Sequence, residues 1–150
     1  MCIRDSVHYY QLGLAHFNLS YFGPSWNAMD YFRSGVNWRH AKYDVFKHWY
    51  FPFGNKENHD LSKAKGYFEK VLEVSKDPER SARAVFWLAR CSWLTYVTSS
   101  GYNRPSGSNQ LPVLPPEYRI YYQYLAENYA ETDFYQWVIK ECKSFKAYAR

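Results

Sequence analysis

The apolar positions between Asp60 and Trp93 recur at helical spacing. Leu61, Ala64, Phe68, Val71 and Leu72 share one face of a helix, and Lys63, Lys65, Glu69, Lys70 and Glu73 occupy the others. Asp60 is placed to accept the free amides of the first turn. Asp77-Pro78-Glu79 then starts a second helix, with Asp77 as cap, Pro78 where its missing N–H is harmless, and Glu79 at the positive end of the dipole. Ala82, Val85, Phe86, Ala89 and Trp93 form the apolar face of that helix. The pair predicts a hairpin whose small residues admit a close neighbour. Gly66, inside the first helix, is either a point of close approach or a tolerated loss of about 1 kcal/mol relative to alanine.

The same periodicity predicts a helix over residues 7–21, ended by Gly23-Pro24, and another from Ser25 through Ala28, Tyr31 and Phe32 to Gly35. Residues 36–59 are dense in aromatic side chains. Positions 38–50 fit a worn helix, and Phe51-Pro52-Phe53-Gly54-Asn55 reads as a turn. The whole segment is an insertion or a degenerate repeat. Residues 98–116, rich in Pro, Gly and Ser, predict a loop longer than compact connections usually are. Pro116-Glu117 opens a further helix. Thr132 or Asp133 caps a last one, with Gln136 set to complete a capping box with Asp133. Its stripe is Phe134, Val138, Phe145 and Tyr148, interrupted by Glu141.

Three stretches share a motif. Tyr9-x2-Leu12-Gly13-x2-His16, Leu88-Ala89, and Tyr122-x2-Leu125-Ala126-x2-Tyr129 fit one first-helix pattern, and Ala64-x3-Phe68-x2-Val71 fits a second-helix pattern. These resemble the tetratricopeptide (TPR) repeat, although no unit satisfies its full consensus. Leu88 and Leu125 stand close to the roughly 34-residue TPR period apart, and the interval from Leu12 to Leu88 leaves room for one degenerate repeat. The aromatic helices and the ending WVIKECKSFKAY are also similar to uncharacterised bacterial TPR-like proteins, which are often exported and carry no known activity. The resemblance implies an all-α fold over residues 7–150: a TPR-like array of antiparallel helical hairpins, an α-solenoid fragment with an aromatic-rich insertion.

Composition refines this picture. The chain has 150 residues and a net charge of +5. That charge is modest and scattered, so a nucleic-acid partner is not expected. Aromatic residues make up 21%, including 16 Tyr and 6 Trp, which calls for ring-rich packing or a ring-lined binding face. Residues 1–6, Met-Cys-Ile-Arg-Asp-Ser, read as a translated sequencing adapter. The expectation is then that the chain is the C-terminal part of a longer protein and that losing those six residues leaves its melting temperature unchanged. Cys91 and Cys142 fall near apolar helix positions, as free thiols or as one disulfide.

Catalytic chemistry is not expected. His8 and His16, and His40 and His48, stand eight apart rather than at the i, i+4 spacing that joins two imidazoles. Asp44 and His48 make a minimal pair, short of the three or four ligands that a metal wants, so neither a metal nor a cofactor is expected. No Gly-rich phosphate loop or nucleophile elbow occurs. The expectation is a non-catalytic scaffold that binds a protein or peptide on the concave face of stacked hairpins, through Tyr10, Asn18, Trp38, Tyr43 and Trp49. The alternative is a glycan-binding module in which exposed Trp and Tyr stack on sugars; the third reading is an enzyme. Exposed, coplanar rings at Trp38, Trp49 and Tyr50 would favour glycan.

Overall fold

A computed structural model of the chain describes residues 3–20, 22–25, 60–99, 102 and 111–149. These residues form six helices: α1 (Ile3–Asn18), α2 (Ser62–Val74), α3 (Pro78–Thr98), α4 (Pro116–Tyr129), α5 (Asp133–Glu141) and α6 (Lys143–Tyr148). No strand occurs among the described residues, so the fold is all-α. The expected helix at 25–35 and the segment 36–59, with Trp38, Tyr43 and Trp49, lie outside the described residues, as does most of the 98–116 loop.

The start signals hold in part. Leu61, not Asp60, occupies the N-cap position of α2; Asp60, one residue ahead, accepts from the Ser62 amide at 2.8 Å, which holds its carboxyl below the ordinary range. Asp77 caps α3 by accepting from the Glu79 amide at 3.0 Å, and its other oxygen takes Arg80 at 3.2 Å. α3 runs past Trp93 to Thr98, burying Tyr96 and Val97, and the Thr95 and Thr98 hydroxyls donate back to the Cys91 and Leu94 carbonyls, satisfying their polar groups along the helix. Beyond the end of α1, the chain turns so tightly at Gly23 that a Cβ there would lie 2.2 Å from the Asn18 Cα. Only glycine fits.

Two expectations are corrected. The C-terminal stripe does not belong to one helix. The backbone leaves helical geometry at Cys142 (φ −109°, ψ 97°), separating α5 from α6. The break turns Glu141 to solvent while Val138, Phe145 and Tyr148 stay buried. The Asp133–Gln136 capping box does not form either. Thr132 caps α5 through its hydroxyl, and the Gln136 amide donates to the Ala130 carbonyl. A longer-range partner, Glu79 of α3, accepts from the Asp133 and Phe134 amides at 2.7 and 3.2 Å.

The contacts between helices fix a layered order. α1 meets α3 in parallel register, with Ser6 on Arg80, Tyr10 on Trp87 and Phe17 on Arg90. α3 meets α5 and α6 likewise, with Glu79 on Asp133, Phe86 on Phe134 and Trp93 on Tyr148. α4 runs antiparallel to α3, pairing Tyr96 with Tyr118 at one end and Ser81 with Tyr129 at the other. α2 packs on both α1 and α3, and Tyr121 of α4 donates to Glu69 of α2 at 3.0 Å. So α1, α3 and α5–α6 form one layer, and α2 and α4 the other.

α3 sits at the centre and is buried on two sides. Ala84, Leu88 and Cys91 join Phe17, Leu61, Ala64, Phe68 and Val71 in one core cluster. Ala82, Val85, Ala89, Tyr96 and Val97 join Leu114, Tyr122, Leu125, Val138, Phe145 and Tyr148 in the other. The single apolar face expected for this helix is therefore one of two. Phe68, fully buried, lies against α1 at Gly13, where a Cβ would meet its ring at 2.6 Å. Leu12, next to that glycine, is exposed, whereas Leu88 and Leu125 are core residues.

Candidate functional site

Because α3 is central to its layer, one of its narrow faces lies between α1 and α5. Arg83, Trp87 and Arg90 occupy it at i, i+4 and i+7, which one helical face brings into line. Both arginines are exposed and Trp87 is half-buried. The Arg83 guanidinium lies 5.1 Å from the centre of the Phe134 ring on α5. That of Arg90 lies 5.8 Å from Phe17 on α1 and 5.4 Å from Trp87. Such stacking orients a guanidinium and leaves its N–H edges available for a carboxylate. Among the described residues neither arginine forms an ion pair; Arg80 with Asp77 is the pair on this helix. Past Arg83 the face continues into a hollow lined by Asp133, Phe134 and Trp137. Trp137 is 58% exposed, high for a side chain of that size.

The residues expected at the site are placed as follows. Tyr10 is half-buried between helices. Its hydroxyl accepts from Trp87 Nε1 at 3.1 Å, and its ring meets Phe68 edge-on at 5.9 Å. Burial raises its phenol pKa, opposed by the Trp87 hydrogen bond and the Arg83 charge. Tyr10 thus supports Trp87 from behind. Asn18 is half-buried at the end of α1, and its carbonyl accepts from the Ser25 amide at 2.9 Å. Trp38, Tyr43 and Trp49 lie outside the described residues. Sequence reasoning missed Arg83, Trp87, Arg90 and Trp137. The available signal was Trp87, an aromatic residue off the apolar face assigned to its helix and flanked by two arginines in register.

Nucleophilic chemistry finds no support at Cys91. Its thiol is buried and pushed up to about 12 by that burial, although Lys65 and Arg90 pull the other way. A thiol that stays protonated at neutral pH is a packing group. Cys91 and Cys142 are both free and belong to different core clusters. No group of three or more His, Cys, Asp or Glu that could hold a metal ion occurs among the described residues. No helix among them is long and apolar enough to cross a membrane. Comparison with family models, with curated proteins and with solved structures gives no match to this chain.

Proposed function

We propose that the chain is a non-catalytic scaffold of TPR-like helical hairpins, α1–α2 and α3–α4, followed by α5 in the position of a third first helix. It binds a segment of a partner protein on the face shared by α1, α3 and α5. One observation carries this reading: the middle helix of a parallel layer presents Arg83, Trp87 and Arg90 in line, with both guanidiniums stacked on rings and unpaired with carboxylates among the described residues. Stacked helical units offer extended surfaces of this kind, and aromatic and arginine side chains dominate binding energy at protein interfaces. A sugar platform is less well served. Phe134 and Trp137, neighbours with Trp137 exposed, are inclined at 33° rather than coplanar. In this reading Leu125-Ala126 lies on the second helix of its pair, although its motif resembles a first helix.

The test is selection of peptides from a random library on the immobilised domain, followed by binding to Arg83→Glu and Trp137→Ala. The reading expects the selected peptides to lose on the order of tenfold or more in affinity to each variant. Peptides that bind both variants as tightly as the parent would place recognition elsewhere.

A further inference from the structure

Beside Arg90 the surface dips into a cleft of about 380 Å³ between α3 and α6. Phe86, Trp93, Leu94, Tyr122 and Phe145 wall it, and Leu111 closes one side from the segment that leads into α4. That segment is fastened in place. The Tyr148 hydroxyl donates to the Pro112 carbonyl at 2.8 Å and the Tyr96 hydroxyl to the Val113 carbonyl at 3.2 Å, while Leu114 is buried behind them. The cleft is therefore preformed by three helices and a pinned strap.

Few polar groups reach it. Cys142 Sγ and Ser144 Oγ lie 3.2 Å apart and satisfy each other. Among the described residues no carboxylate lines the cleft, and Arg90 is the one charged residue that does. A concave, mostly ring-lined hollow with a small number of placed polar groups is the usual form of a small-molecule site. The two halves of its chemistry are separate. The walls suit an apolar body, and about 380 Å³ is ample for one ring with substituents. Arg90 is among the lining residues, and its guanidinium, held over Phe17 and Trp87, is a planar fork suited to a carboxylate.

We propose that this cleft binds a small apolar carboxylic acid, with its hydrocarbon body between Trp93 and Phe145 and its carboxylate on Arg90. The last residue of a partner chain would present the same chemistry. Enclosure by α3, α4, α6 and the strap fits a compact free molecule better than an extended chain, so the free acid is the occupant assigned. This inference does not depend on the peptide-binding reading.

Calorimetric titration of the intact protein with phenylacetate, phenylacetamide, acetate and a tetrapeptide ending in phenylalanine tests it. Phenylacetate should bind, with the amide and acetate each weaker by on the order of tenfold, since each lacks one half of the recognition. Arg90→Gln should weaken phenylacetate by a similar factor, while Lys146→Gln, an exposed cation on α6 outside the cleft lining, should leave it unchanged. If Arg90→Gln fails to fold, the acid-to-amide ratio on the unaltered protein still decides. No phenylacetate binding, equal binding of acid and amide, or equal losses in the two variants would overturn the proposal. Binding of the tetrapeptide on the order of tenfold tighter than phenylacetate would overturn the free-acid assignment and give the cleft to a chain terminus.

Discussion

Two glycines in neighbouring helices have opposite roles. Gly13 is where the Phe68 ring lies against α1, and a methyl group added there would sit 2.6 Å from it. That ring cannot step aside easily: it is fully buried, with Trp87 stacked on it at 6.1 Å and Tyr10 edge-on. Gly66 has nothing within 4 Å of its would-be Cβ among the described residues. Gly13→Ala should therefore cost about 1–3 kcal/mol in urea denaturation by overpacking. Gly66→Ala should gain up to about 1 kcal/mol from helix propensity. Equal effects of the two would refute the close approach. Phe68→Ala should cost about 3–5 kcal/mol, the range for emptying a buried ring site. At this scale the sequence was informative about Phe68, whose spacing marked it as core. It was silent on which glycine mattered, because that depends on a ring brought in by another helix.

Helix ends depend on partners that are distant in the chain. Asp77 caps α3 and Asp60 accepts an amide just ahead of the α2 cap, and residue type and position marked both. Glu79 was assigned to the dipole of its own helix, and the structure also gives it the first amides of α5. Glu79→Ala should lower stability by about 0.5–2 kcal/mol, with hydrogen exchange accelerating at Asp133 and Phe134 more than at α3 amides. Uniform acceleration across both helices would argue against the cross-helix cap. The first turn of α1 carries a similar lesson. Ser6 is buried and accepts from Arg80 at 3.0 Å, so this residue packs on the fold whatever its origin. Deleting residues 1–6 should lower the melting temperature, in keeping with about 1 kcal/mol for a lost hydrogen bond. This replaces the expectation that their loss is neutral. The break at Cys142 was illegible for a related reason. Periodicity continues through it, and Glu141 on the stripe was the sole sign that the helix changes direction.

At the scale of the molecule, rings join the layers. An unbroken path runs from Phe17 through Trp87, Phe86, Phe145, Tyr122, Tyr148 and Trp93 to Tyr96 and Tyr118, each step between 4.8 and 6.4 Å. This accounts for much of the aromatic content of the described residues. Buried phenols and the buried thiol also make the fold sensitive to alkali. Burial pushes Tyr148 to about 12, and burial together with Glu69 does the same for Tyr121, from an ordinary 10.0; the Cys91 thiol rises to about 12 from 9.0. The folded chain keeps protons that the unfolded chain releases. This stabilisation is complete below about pH 9 and is lost as pH climbs towards 12. Urea midpoints should fall across that window, and a flat profile would contradict the assigned burial. The all-helical character was legible from periodicity. The central position of α3 was not, because one helix with two buried sides looks, in sequence, like one apolar face with surplus apolar residues. The central claim is that the face of α1, α3 and α5 recognises a partner segment. It is tested most directly by NMR shift mapping with a library-selected peptide. The account predicts perturbations centred on Arg83, Trp87, Arg90 and Trp137; shifts confined to the outer sides of α2 and α4 would contradict it.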